Sequence, residues 1–265
     1  MTVLDVTTFS DALGKQTSLR VLLPRKGVPG PYRTLYLLHG LSDDHTAWTR
    51  WTSIERYLEG LPLIVVMPDG GRGFYADAHR GFRYATAIGE ELPAFVDATF
   101  PTDARRESRV VAGLSMGGYG AFHLALKFPQ TFVAAASLSG ALHFAHSDSW
   151  DTRYGADEWQ RIAGPKSKGG PCDLFRQVLD VPSAERPALW FECGSEDFLI
   201  EANRAFRNHL SANAVPHHYD EHPGEHNWAF WDAHIVSAVA WLNRVMDGAE
   251  PADRREPTGP NRPPL

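Results

Sequence analysis

The stretch VVAGLSMGGYGAFHLAL, Val110 to Leu126, decides how the chain is read. An apolar run ends at Gly113, small residues crowd around the hydroxyl of Ser115, and from Met116 onward the apolar positions recur with helical spacing. The segment SRVVAGLS therefore reads as a buried strand and MGGYGAFHLALKF as the helix after it. A sharp bend joins them at Ser115. Side chains two residues before and after such a bend collide, which accounts for glycine at both 113 and 117. A bend of this kind lifts the hydroxyl above the sheet and aims the next backbone N–H and the helix N-terminus at the same point.

The same rhythm extends along the chain. VLDVTTFS and SLRVLLP read as two strands of an antiparallel edge hairpin turning near Gly14. RTLYLLHG and LPLIVVMPDGG are continuous apolar runs, as expected of strands covered on both faces. TSIERYLEG is a short helix with a capping-box signature, Thr52 or Ser53 followed by Glu55. ATAIGEELPAFVDATF has helical spacing, with Pro93 expected to bend or restart it. TFVAAASLSG is a strand. From Ala141 to Pro187 the rhythm is lost, and this stretch reads as a cap-like insertion of short helices and loops over one end of the sheet. PALWFECG and PHHYDEHPG are strands, EANRAFRNHLSAN and NWAFWDAHIVSAVAWLNRVM helices. Alternating strands and helices imply an α/β fold, a mostly parallel central sheet with helices on both faces. Residues 1–247 are expected to form a single domain. Residues 248–265, rich in Pro and Arg with nothing to bury, are expected to be a disordered tail.

Composition narrows the function. The chain has 265 residues, 43% hydrophobic and 22% charged, which suits a globular domain with a substantial core. Lys and Arg number 26 against 32 Asp and Glu, a formal charge of -6, so a nucleic-acid partner is not expected. No apolar run reaches the roughly 20 residues of a membrane span. The N-terminus has neither the basic region nor the apolar region of a signal peptide. The two cysteines, Cys172 and Cys193, make no disulfide framework and fit a reducing cytoplasm.

Gly113-Leu114-Ser115-Met116-Gly117 matches G-x-S-x-G at a strand-to-helix junction, the context of a nucleophile elbow. A serine hydroxyl needs an adjacent base to attack, and in this arrangement an acid and then a histidine follow in the chain. WFECGSEDFLIEAN offers Asp197, with Glu196 as fallback and Glu192 disfavoured because it lies within the strand. By itself Asp197 reads more simply as a cap for the helix beginning near Leu199. YDEHPGEHNWAFW offers His226, with His222 nearer its strand. His218, His222 and His226 recur every four residues, but Pro223 and Gly224 break any helix that would align them, so zinc ligation by that trio is rejected. His39-Gly40-Leu41, after the strand ending in LLHG, offers the N–H of Leu41 as an oxyanion donor beside that of Met116. Trp48, Trp51, Phe74, Tyr75 and Trp228 are candidates for an acyl pocket, with plain core the simpler reading of each. Phe144 and the insertion would narrow the site.

Together YLLHGLSDDHTAW, MPDGGRGFYAD, GLSMGGYGAFHLAL, SLSGAL, CGSEDFL and GEHNWAFW resemble the esterase D family, and most of all its bacterial tributyrin esterases. S-formylglutathione hydrolases, feruloyl esterases and mycolyltransferases are similar relatives. The resemblance covers about residues 5 to 245. It implies an α/β-hydrolase that needs no cofactor and no metal. By motif it makes Ser115 the nucleophile, Asp197 the acid in preference to Glu196, His226 the base, and the Leu41 and Met116 N–H groups the oxyanion hole. The expected function is hydrolysis of short-chain acyl esters through an acyl-enzyme, with a small-molecule ester as partner and a homo-oligomer possible in principle. S-formylglutathione hydrolysis is the alternative. The segment after Met67 looks like the tributyrin esterases and lacks the pattern of dedicated formylglutathione hydrolases.

Overall fold

A computed structural model describes residues 1–146 and 156–248. Eight strands form one sheet in the order β1-β2-β4-β3-β5-β6-β7-β8. They are β1 (Thr2–Ser10), β2 (Lys15–Leu23), β3 (Arg33–Leu38), β4 (Leu63–Pro68), β5 (Arg109–Leu114), β6 (Ala134–Leu138), β7 (Ala188–Gly194) and β8 (His218–His222). β1 pairs antiparallel with β2, and β2 antiparallel with β4. Every pairing from β4 through β3, β5, β6 and β7 to β8 is parallel. The hairpin at the edge and the mostly parallel sheet are as the sequence implied. Six carboxyl ends therefore share one rim, where open α/β sheets place their ligands.

The central strands β4, β5 and β6 are buried at every position, which explains their unbroken apolar sequence. Alternate residues of these strands serve two cores. On one face Val111 and Ala135 pack with Phe122, Tyr119 and Phe206. On the other Val110, Ala112 and Ala136 pack with Trp231, Ile235 and Leu242. The helices that carry those residues are α5 (Met116–Lys127), α8 (Ile200–Ala212) and α9 (Trp228–Met246).

At two places local signals meet tertiary structure. The helix expected over residues 52–60 is confined to α2 (Ile54–Tyr57), with a separate α1 (Ala47–Trp51) before it, and Thr52 Oγ1 accepts from the Ile54 N–H at 3.2 Å. The Ser53 N–H at this helix start takes a tertiary partner, donating to Asp232 Oδ1 of α9 at 2.8 Å. At Pro93 the helix restarts, one of the two outcomes expected there. Helix α3 (Tyr84–Thr86) widens into a π-turn over Ala87–Glu91, and α4 (Leu92–Thr99) restarts with Pro93 in its first turn, where a missing N–H costs nothing.

The insertion contains α6 (Ala156–Ala163) and α7 (Leu174–Asp180). Arg72 binds Glu158 at 2.7 Å, and the His79 and Arg80 N–H groups donate to Ile162 and Arg161 carbonyls at 2.9 Å. Tyr119 Oη donates to the Cys172 carbonyl at 2.7 Å. The insertion is thus tied to the loop after β4 and to α5. Residues 147–155 of it, and the expected tail from 249 to 265, lie outside the described residues. No described helix is long and apolar enough to cross a membrane.

Candidate active site

Ser115 occupies φ 52° and ψ −116°, between the end of β5 and the start of α5. A non-glycine residue held there stores on the order of 1–3 kcal/mol of strain, so its surroundings must over-determine it. They do so with three backbone bonds. Ser115 N–H donates to the Leu138 carbonyl at 2.9 Å, and the Ser115 carbonyl accepts from Tyr119 N–H at 3.1 Å and Ala141 N–H at 3.0 Å. The end of β6 and the first residue of the insertion therefore brace the bend. Nothing in the sequence reading assigned that part to Leu138 or Ala141, because both act through backbone groups.

The two glycines flanking the bend are required by space. A Cβ on Gly113 would lie 2.4 Å from the Gly117 carbonyl oxygen. One on Gly117 would lie 2.6 Å from both the Leu38 and His39 carbonyl oxygens. These obstacles are backbone and cannot rotate away. Gly117→Ala is expected to destabilise the protein by about 3 kcal/mol or more, at the upper end of overpacking costs. Urea unfolding midpoints compared with wild type would measure it; a change below about 0.5 kcal/mol would contradict the close approach.

His226 lies on the loop between β8 and α9. Ser115 Oγ donates to its Nε2 at 3.0 Å, and its Nδ1–H donates to Asp197 Oδ2 at 2.8 Å. Three residues far apart in the chain thus form one hydrogen-bonded line across the ends of β5, β7 and β8. The Asp197 side chain is fully buried and that of His226 is 16% exposed. The imidazole packs against Phe198 and Trp231 at ring separations of 4.4 and 4.9 Å.

The simpler reading of Asp197 holds together with the functional one, because the carboxylate divides its oxygens. Oδ1 accepts from Leu199 N–H at 2.8 Å, at the start of α8, and Oδ2 faces His226. Glu196, the fallback acid, stays away from the imidazole. It accepts from Ser195 Oγ at 2.7 Å and from Gly224 N–H at 2.6 Å, so it pins the loop that carries His226. The Glu196 N–H also donates to the Gly224 carbonyl at 3.0 Å. That role has no sequence signal, since it depends on two loops from different strands meeting. Asn227 closes the loop by capping α9, accepting from Phe230 N–H at 3.0 Å. The histidines at four-residue spacing disperse: His218 binds Asp220, His222 faces Glu192, and His226 faces Ser115.

The Leu41 loop lies beside the bend, and a Cβ on Gly40 would come within 3.7 Å of Ser115 Cβ. His39 is buried beneath it. His39 Nε2 accepts from Gly70 N–H at 2.9 Å, which assigns the ring proton to Nδ1, and Nδ1–H donates to the Gly40 carbonyl at 2.8 Å. Asp43 N–H donates to the same carbonyl at 3.2 Å. Because the peptide is planar and trans, holding this carbonyl fixes the Leu41 N–H in the opposite direction. Met116 opens α5, so its N–H is among those a helix leaves without an internal partner. Near this loop, burial raises Asp43 above the usual carboxylate range. Burial pushes the Cys193 thiol far above its ordinary value, which suits a small apolar side chain in a strand.

Of the aromatic candidates, Trp48, Phe74 and Tyr75 belong to the core. Trp48 Nε1 donates to the Leu38 carbonyl at 3.0 Å, and Tyr75 Oη to the His39 carbonyl at 3.0 Å. Trp51 is exposed and stacks on Trp228 at 6.5 Å. Trp228 in turn meets Trp231, the neighbour of His226, at 5.3 Å.

Residues 10–242 match the family model described as "Putative esterase". The chain belongs to the esterase family. It is 30% identical to the acetyl esterase of Caldicellulosiruptor saccharolyticus over 93% of this chain and all of that protein. The substrate-bound structure of fluorophosphonate-binding serine hydrolase F of Staphylococcus aureus superposes with a TM-score of 0.82 at 32% identity, covering 91% of this chain and 98% of that one. An S-formylglutathione hydrolase from Staphylococcus aureus, as apoenzyme, superposes with a TM-score of 0.79 at 32% identity over the same shares. This esterase is a serine hydrolase on an α/β-hydrolase fold, as its motifs implied.

Proposed function

We propose that this esterase hydrolyses short-chain acyl esters through an acyl-enzyme formed on Ser115. The observation that carries the reading is the line Ser115 Oγ, His226 imidazole, Asp197 carboxylate, with links of 3.0 and 2.8 Å. Ser115 attacks the ester carbonyl while His226 Nε2 takes its proton. Asp197 keeps the other ring proton on Nδ1 and stabilises the imidazolium. The N–H groups of Leu41 and Met116 receive the oxyanion, each contributing on the order of 3 kcal/mol to the barrier reduction. His226 then protonates the departing alcohol, and water repeats the sequence on the acyl-enzyme.

A small acyl site is supported from the insertion side. Phe144 follows three residues after Ala141, whose N–H holds the Ser115 carbonyl. Phe144 is fully buried and stacks on Phe74 at 3.9 Å, so that direction is filled by side chains. The name of the acetyl esterase relative points the same way. The thioester reading stays second: an S-formylglutathione hydrolase shares the fold at similar identity, but nothing in the described residues favours a glutathione moiety. A cytoplasmic setting fits two cysteines that are free and buried.

Initial rates on p-nitrophenyl esters of rising acyl length, with S-formylglutathione alongside, test the assignment. A steep fall beyond butyryl, with weak thioester turnover, is expected. Equal rates for acetyl and long-chain esters would sink the small-site reading, and a dominant thioester rate would make the runner-up correct.

A further inference from the structure

We infer a binding site for one divalent transition ion of the zinc class, formed by Glu192, His222 and His234 beneath the loop that carries His226. This goes beyond the esterase reading and contradicts the expectation of no metal that came from the motifs. The ligating atoms of these three side chains all lie within 4.8 Å of one another. His234 Nδ1 is 2.7 Å from Glu192 Oε1, and His222 Nε2 is 3.5 Å from Glu192 Oε2. Ligands about 2.0–2.2 Å from a tetrahedral zinc ion sit roughly 3.3 Å apart, so small side-chain adjustments would close the set. Two imidazoles and one carboxylate suit zinc and its neighbours in the first transition row, not the hard, oxygen-seeking magnesium or calcium.

Two features of the group favour an ion over an ordinary ion-paired cluster. Glu192 is 1% exposed, yet its Oε1 has no aligned hydrogen-bond donor despite the short distance to His234. A buried carboxylate oxygen without a donor is costly. A nitrogen and an oxygen that approach closely without pointing along one N–H can instead converge on a third point. His222, 41% exposed, leaves one side open to solvent for access and for a water as fourth ligand. The rings of His222 and His234 are 4.7 Å apart, and Phe230 stacks on His234 at 4.1 Å, which limits the latter's freedom to turn away.

The placement gives the ion a consequence. Glu192 lies on β7 five residues before Asp197. His222 ends β8 four residues before His226, and His234 lies on α9 eight residues after it. An ion held by all three would tie together both ends of the His226 loop and the strand that delivers Asp197. Its role is to brace that loop. It lies behind the reacting line and takes no part in proton transfer.

The test uses the full chain after exhaustive chelation, titrated calorimetrically with zinc chloride and separately with magnesium chloride. His222→Ala, His234→Ala and, as a control at a histidine outside the site, His218→Ala are compared with wild type. One zinc per chain is expected for wild type and His218→Ala, with affinity weakened at least about tenfold in both His222→Ala and His234→Ala. Zinc should also raise the thermal midpoint of wild type and of His218→Ala but not of the two ligand variants, and magnesium should bind none of them. His222 is surface-accessible, so its variant keeps the test informative if His234→Ala folds poorly. Absence of stoichiometric binding to wild type, or equal affinity in wild type and His222→Ala, would overturn the site. Either result leaves the esterase reading untouched, because ester hydrolysis by the chelated enzyme is measured independently.

Discussion

Ser115→Ala is expected to lower kcat on p-nitrophenyl acetate by on the order of 10⁵- to 10⁶-fold, with KM little changed and the fold intact. The size follows from what the hydroxyl does. It is the atom that would bond to the acyl carbon, and His226 has no other group to deprotonate across the 3.0 Å contact. The substitution leaves the bend alone: the three backbone bonds that hold residue 115 involve no side-chain atom. Alanine suffers the same positive φ as serine, so unfolding midpoints should agree within about 0.5 kcal/mol. His226→Ala should cost about as much, and the double variant no more than either alone, because the two groups act as one unit. Residual activity above a hundredth of wild type in Ser115→Ala, with contaminating esterase excluded by fluorophosphonate labelling, would place the nucleophile elsewhere.

Asp197→Asn is expected to lower kcat by roughly 10⁴-fold, the effect seen when a triad carboxylate becomes an amide. The division of labour between the two oxygens explains why this variant should fold. Asparagine keeps an oxygen for the Leu199 N–H and so retains the cap on α8. Its amide NH₂ then faces His226 Nδ1, where a carboxylate oxygen accepted a hydrogen. The imidazole must take the tautomer with its proton on Nε2, and the nitrogen facing Ser115 can no longer act as a base. Asp197→Ala is the less informative variant, since it also loses the cap, worth about 1 kcal/mol. Activity of Asp197→Asn should rise at alkaline pH more than that of wild type, as hydroxide replaces the lost base. A loss below tenfold would refute the assignment and direct attention to Glu196. That residue, however, is held by Ser195 and Gly224 and lies at the surface.

How far the site could be read in the sequence depended on whether each residue acts through its type or through its placement. Ser115, Gly113 and Gly117 announce themselves because a strained bend admits few residue types, and a clash between backbones is local enough to leave a pattern. Strand β5 and helix α5 were legible from periodicity for the same reason. Asp197 was ambiguous, since a short carboxylate before a helix has an ordinary explanation. That explanation is also true, and only the position of His226 across the rim shows that the second oxygen has a different partner. The capping-box signature at Thr52 or Ser53 gave no hint that Asp232, 179 residues away, takes the Ser53 N–H. Pro93 marked the restart of a helix, but not the π-turn that precedes it.

By itself the sequence determined the α/β alternation, the order of strands and helices, the elbow at Ser115 and the candidates on the rim. These follow from hydrophobic period, glycine sterics and residue chemistry, all of which act within a few positions along the chain. Only the tertiary structure decided which candidates meet. It brought Ser115, His226 and Asp197 into line, set Glu196 to pin a loop, and gathered Glu192, His222 and His234 behind it. Such meetings depend on strand register and on how helices pack across the sheet. Those are set by the burial of many side chains at once, and no short stretch of sequence records them.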